Sequence, residues 1–170
     1  ISIPAAATVG TSAFPTHCQV TRFTTAPAAI PKATPQAPTA PAAVRTRKLG
    51  RFEVQVVDGR DVVPAMVILP RDAFNGQSDL GAMVLPAGLH TIERHAFANS
   101  SLSAIKLPQS LTTIEYGAFQ GCRNLTVVKL PAGVTTIGEQ AFWSCGSLHT
   151  IELPAGLTTI GPKALLNCRS

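Results

Sequence analysis

Acidic side chains are missing from the first 52 residues, which carry six basic ones: Arg22, Lys32, Arg45, Arg47, Lys48 and Arg51. Residues 53–170 hold eight basic and nine acidic residues, a balance of −1, so the net charge of +5 belongs to the N-terminal third. No apolar run approaches the roughly 18 residues of a membrane-spanning helix. The cysteines form no Cys-x-x-Cys pair, and no histidine stands at ligand spacing from them. There is no glycine-rich phosphate loop, no nucleophile elbow and no carboxylate pair set apart from ordinary surface charge. His17 and His95 have no sequence partner for catalysis, and His90 and His149 fall at different positions of the pattern described below. The expectation is a chain that is not an enzyme and needs no cofactor or metal.

The basic N-terminal part is low in complexity. Residues 1–47 are read as an extended arm rich in Ala, Thr and Pro, with Pro27, Pro31, Pro35, Pro38 and Pro41 close together. Such composition favours extended polyproline-like backbone and cannot bury a core of its own. A plain linker and an arm that threads over a partner both fit it. Arg45, Arg47, Lys48 and Arg51 are the candidate electrostatic contacts, to RNA or to an acidic surface. The arm has two Phe but no Trp or Tyr, which gives little for base stacking. Basic, hydroxylated and acid-free, it is also similar to an organellar transit sequence. That likeness favours a mitochondrion or plastid, with the cell surface or secretion as the alternative.

From Met83 onward one phrase recurs. It is written as Leu85-Pro86, Leu107-Pro108, Leu130-Pro131 and Leu153-Pro154, at a step that varies by a single position. Other columns keep that step: Leu89/Leu111/Val134/Leu157, Ile92/Ile114/Ile137/Ile160 and Phe97/Phe119/Phe142/Leu165. A fixed period in the range of roughly 20–50 residues marks a solenoid, in which each rung buries its apolar residues only against its neighbours. Parallel strands are expected within 102–107, 125–130 and 148–153, each stopped by a proline that cannot extend the ladder. A helical turn is expected at Gln140-Ala141-Phe142. The column Gly76, Asn99, Gly121, Ser144, Asn167 is where the chain leaves that turn with positive φ, Ser144 being the departure from type.

These residues resemble the BspA-like leucine-rich repeat family, most clearly in LPAGVTTIGEQAFWSCGSLHTIELP. The resemblance covers about half the chain. It implies a short leucine-rich-repeat solenoid and a non-catalytic interaction module. Two departures stand out. Glu93 and Glu115 occupy positions where the family carries Gly, and the rung between Phe97 and Leu102 is one residue short.

The ends complete the domain plan. Residues 48–82 read as an N-terminal β-hairpin around Asp58-Gly59 plus a degenerate capping rung starting at Ala73-Phe74. Val62 to Leu69 is the expected return strand, with Pro64 demoting part of it. Residues 83–170 are the repeats proper, giving about four and a half rungs. Cys122, Cys145 and Cys168 share one column. A metal or redox ladder and a column of small buried hydrophobes both fit that spacing, and the family resemblance implies the latter. Cys18 is read as a free thiol.

The candidate protein-binding residues lie on the concave strand face: Ala104, Val127 and Thr150 in the row that Ala82 begins, and Lys106, Lys129 and Glu152 in the row that Val84 begins. Adjacent strands about 4.8 Å apart would make this a flat, closely spaced strip; a solvated sheet face is the alternative. Trp143, beside Leu166, is a candidate anchor if exposed, and an ordinary half-buried side chain if not. The function expected is a non-catalytic scaffold subunit of a larger assembly, an organellar one if the transit likeness holds. The alternatives are a cell-surface adhesion module and an rRNA-contacting accessory protein of an organellar ribosome.

Overall fold

The structure is a computed structural model that describes residues 2–4, 8–9, 21–23, 45–49 and 52–168. Its described secondary structure is all strand and turn. Near the N-terminus lie three short strands, β1 (Ser2–Pro4), β2 (Thr8–Val9) and β3 (Thr21–Phe23). The remainder of the extended arm expected over 1–47 lies outside the described residues up to Arg45.

The cap is a three-stranded unit: β4 (Arg45–Leu49), β5 (Phe52–Val57) and β6 (Arg60–Val62), successive strands running antiparallel. Asp58 and Gly59 turn between β5 and β6 with φ of 49° and 72°. Two successive positive φ values define the tight hairpin turn that Asp-Gly favours. Arg45, Thr46 and Arg47 therefore pair within the cap sheet rather than leading into it. The return strand is shorter than expected, ending at Val62 before Pro64. Ile68–Leu69 is a separate strand, β7, in another sheet.

The rungs follow. On one side run β8 (Ala82–Val84), β10 (Ala104–Lys106), β12 (Val127–Lys129) and β14 (Thr150–Glu152). On the other run β9 (Thr91–Ile92), β11 (Thr113–Ile114), β13 (Thr136–Ile137) and β15 (Thr159–Ile160). In the sequence this second parallel sheet shows only as a turn with inward residues. It is continuous from β7 to β15, with each Thr-Ile pair facing the next. The first sheet begins at the cap, since β6 pairs in parallel with β8.

The third side of each rung is a chain of tight turns, not a helix. Main-chain N–H groups bond three residues back, as in Ala141 to Gly138, Trp143 to Gln140 and Cys145 to Phe142. Others reach across to the next rung, as Phe142 N to Ala164 O at 2.8 Å. Two residues per rung take positive φ. One column is the expected Gly76, Asn99, Gly121, Ser144, Asn167, and Ser144 conforms with φ 57°. The other is Asp72, His95, Gly117, Gln140, Lys163.

The core runs the length of the stack. Phe74, Phe97, Phe119 and Phe142 are fully buried and stack face to face with centroids 5.1–5.3 Å apart. Phe52 of the cap extends the ladder with a tilted contact at 5.3 Å. Burying such rings is worth a few kcal/mol each, with further gain from stacking.

Candidate interaction groove on the concave sheet

The strand face expected to be flat and continuous is interrupted. β10 holds register with β8, Ala104 opposite Ala82 and Lys106 opposite Val84. β12 holds register with β14, Val127 opposite Thr150 and Lys129 opposite Glu152. No ladder joins β10 to β12, and they fall in different sheets. The other sides of the same rungs stay bonded: Thr135 N donates to Thr112 O at 2.9 Å, and Phe119 N to Ala141 O at 2.7 Å.

The interruption falls on the strand that leaves the short corner. The step from Phe97 to Leu102 is one position shorter than the step from Phe119 to Leu125. One residue fewer removes about 3.3 Å of reach, and the strand keeps its bonds to the rung before it but not to the rung after. Ile105 is accordingly half-buried, while its column mates Met83, Val128 and Ile151 are buried.

A groove of about 570 Å³ opens there, lined by Ile105, Lys106, Lys129, Pro131, Glu152 and Pro154 among others. It has an apolar floor and a charged rim. Lys129 Nζ lies 2.8 Å from Glu152 Oε2, both largely exposed. Lys106 makes no ion pair among the described residues and is exposed. Val127, 44% exposed, stands beside the groove as one of the few large apolar side chains in the open. Ala104 and Thr150 are also exposed, and Val84 is half-buried.

The remaining candidates sit elsewhere. Trp143 and Leu166 are half-buried neighbours on the turn side, with Ser144 N donating to Leu166 O at 2.9 Å. Trp143 is therefore not the projecting anchor of the sharper reading. Among the arm contacts, Arg45 and Lys48 are exposed on β4, and Arg51 lies outside the described residues. Arg47 is engaged inside the cap. Its guanidinium grips Asp61, with Nε 2.7 Å from Oδ1 and Nη2 on Oδ2, and its Nη1 reaches Asp79 Oδ2 at 3.1 Å. Asp61 is only 3% exposed, so Arg47 is the counter-charge of a buried carboxylate and not a free arm contact.

The cysteine column is buried and free of disulfides. Each thiol donates to the carbonyl of a Phe on the preceding rung: Cys122 to Phe97 at 3.0 Å, Cys145 to Phe119 and Cys168 to Phe142 at 3.1 Å. Burial pushes the Cys122 thiol up to about 11 and raises Cys145 further. A neutral thiol is neither nucleophile nor metal ligand. Among the described residues no group of three His, Cys, Asp or Glu is placed to hold a metal. His95 packs edge-on against Tyr116 at 5.2 Å, and the Nδ1 atoms of His90 and His149 lie against the carbonyls of Gly88 and Ser147. No helix among the described residues is long and apolar enough to cross a membrane.

Stacked parallel rungs of near-constant length with a buried Leu/Ile/Phe interior define a leucine-rich-repeat solenoid. The chain belongs to the family described as BspA type Leucine rich repeat region, which matches residues 66–170 in 6 copies. Modules of this kind generally serve protein interaction or surface recognition and are typically non-enzymatic. Among solved structures, the chain is similar to a leucine-rich repeat protein of T. pallidum, with 33% identity and a TM-score of 0.60 over 62% of this chain and 52% of that one. A leucine-rich repeat protein from Bacteroides ovatus shares 21% identity at a TM-score of 0.48, over 74% of this chain and 43% of that one. The chain thus spans about half the length of these relatives. No curated protein matches it.

Proposed function

We propose that the chain is a non-catalytic protein-interaction module that works as a scaffold element, and that its contact surface is the groove where the concave sheet is interrupted. The observation that carries this reading is the open joint between β10 and β12. It leaves an apolar floor, an exposed Val127 and an uncommitted Lys106 side by side. Apolar area with a polar rim is the common anatomy of a protein-binding patch. The occupant that fits is an extended segment offering an apolar side chain to Ile105 and Val127 and a carboxylate to Lys106.

A library of extended peptides, each carrying one carboxylate and one apolar side chain, tests this by fluorescence anisotropy. A binder should lose about tenfold in affinity with Lys106→Glu, as expected for one charged contact. It should lose at least as much with Val127→Asp. Binding that ignores both substitutions would move the contact surface away from the groove.

The same groove serves a surface-recognition module equally, and that is the second reading. The family match supports it, because modules of this type serve surface recognition as well as protein interaction. An organellar assembly or a ribosomal contact has no supporting observation in the fold or the relatives. Arg45 and Lys48 remain the proposed electrostatic contacts of the basic segment. Their contribution should fade as salt is raised from about 0.05 to 0.5 M.

A further inference from the structure

We propose that residues 1–23 carry a further copy of the repeat pattern, and that its strands β1 and β2 add to the last described rung as a next rung would. The family match begins at residue 66, so this segment lies outside it.

The first observation is in the columns. Ile1-Ser2-Ile3-Pro4 aligns with Ile151-Glu152-Leu153-Pro154. Thr8-Val9-Gly10 aligns with Thr159-Ile160-Gly161, and Ala13-Phe14 with Ala164-Leu165. Only one gap is needed, a residue fewer between Pro4 and Thr8. The segment even restores phenylalanine to the column in which the last rung has Leu165. Proline-rich composition conceals this likeness, because the apolar columns are filled by Ala and Val as well as by Ile and Phe.

The second observation is the backbone pairing. β1 lies parallel to β14 with Ser2 opposite Glu152. β2 lies parallel to β15 with Thr8 opposite Thr159 and Val9 opposite Ile160. Both registers are the ones that the columns give. β3 pairs in parallel with the far edge of β1, Ser2 opposite Thr21, in a register three residues away from the repeat's own. One segment thus meets both sheets of the last rung at once. A chance contact of an extended arm would have no reason to match two ladders in the repeat's own frame.

Reach allows the return. From β3 back to β4 the stack counts eight inter-strand steps, about 38 Å at roughly 4.8 Å each. The segment 24–44 joins them and carries the closely spaced Pro27, Pro31, Pro35, Pro38 and Pro41. In polyproline conformation it spans up to about 65 Å, at about 3.1 Å per residue. The segment is therefore long enough to join the two ends. Added there, β1 and β2 take up the outer edges of β14 and β15, and a paired edge is no template for edge-to-edge association.

Two measurements on the full chain test the proposal. The first is cross-linking in a Cys18→Ser background, where Thr8→Cys with Thr159→Cys should form an intramolecular disulfide under mild oxidation. Thr8→Cys with Thr91→Cys, at the opposite end of the same sheet, should not. Absence of the first bridge, equal bridging in both pairs, or bridging only between two copies would each overturn closure within one chain. The second is amide exchange. Leu130 N donates to Glu152 O at 3.0 Å. One rung further on, the same pattern would aim Leu153 N at the carbonyl of Ser2, the residue opposite Glu152. Ile3→Asp with Val9→Asp should speed exchange at Leu153 at least tenfold and leave Leu130 unchanged. Unchanged exchange at Leu153 would overturn the proposal.

Discussion

The thiol of Cys145 donates a hydrogen bond to the main-chain carbonyl of Phe119, 3.1 Å away on the preceding rung. The same bond recurs from Cys122 to Phe97 and from Cys168 to Phe142. Cysteine here closes the distance between rungs at a carbonyl that faces the interior, a small apolar residue with a weak donor.

That role fixes an alkaline dependence. The folded pKa of Cys122 is raised to about 11, chiefly by burial, above its value in an unfolded chain near 8.5–9. The folded state then holds the proton more tightly, so its stabilisation is complete below about pH 8.5. It is lost as pH rises through about 11. Denaturation midpoints should fall between pH 9 and 11, and a thiol reagent at pH 8 should leave Cys122 and Cys145 unmodified until the protein unfolds. Rapid labelling of both in the folded state would contradict their burial.

Phe119→Ala should cost about 3–5 kcal/mol, because the ring is fully buried between Phe97 and Phe142 and its loss leaves a cavity that a thin core cannot refill. Phe119→Leu should cost markedly less, since Leu165 already serves in that column. Chemical denaturation of the two variants checks both the size and the order.

Gly138→Ala should destabilise by about 1–3 kcal/mol through overpacking. A Cβ at Gly138 would lie 2.6 Å from the carbonyl carbon of Glu115 and 2.7 Å from Tyr116 N, both main-chain atoms. Gly146→Ala is the control, because a Cβ there meets nothing within 4 Å. Equal melting temperatures for the two variants would mean that adjacent rungs yield at Gly138.

Arg47→Ala should cost about 2–4 kcal/mol by stranding the Asp61 carboxylate in the cap. Replacing Asp61 with Asn in the same chain should recover a good part of that loss, a coupling that a double-mutant cycle reads directly.

Much of this fold was legible in spacing alone. The Pro, Ile and Phe columns gave the period, and Gly and Asn in one column gave one of the two corners with positive φ. The other corner was hidden because Asp72, His95, Gln140 and Lys163 share no residue type that advertises that conformation. The Thr-Ile strands were hidden because two residues are too few to show alternation. The groove had a trace, the shortened corner from Phe97 to Leu102, but a missing residue does not say which ladder will open. Nor did spacing disclose that Arg47 faces Asp61, a contact made by hairpin pairing. The half-burial of Trp143 likewise depends on neighbours one rung away.

The opening between β10 and β12 also bears on mechanics. A solenoid holds together only through nearest-neighbour contacts, and at this one joint the concave side contributes no ladder while the Thr-Ile sheet and the turn side keep theirs. A joint bonded on two sides and open on the third would bend most easily about the bonded sides. Bending there would change the width of the groove without breaking a rung, so an occupant of the proposed site would also set the angle between the two halves of the stack.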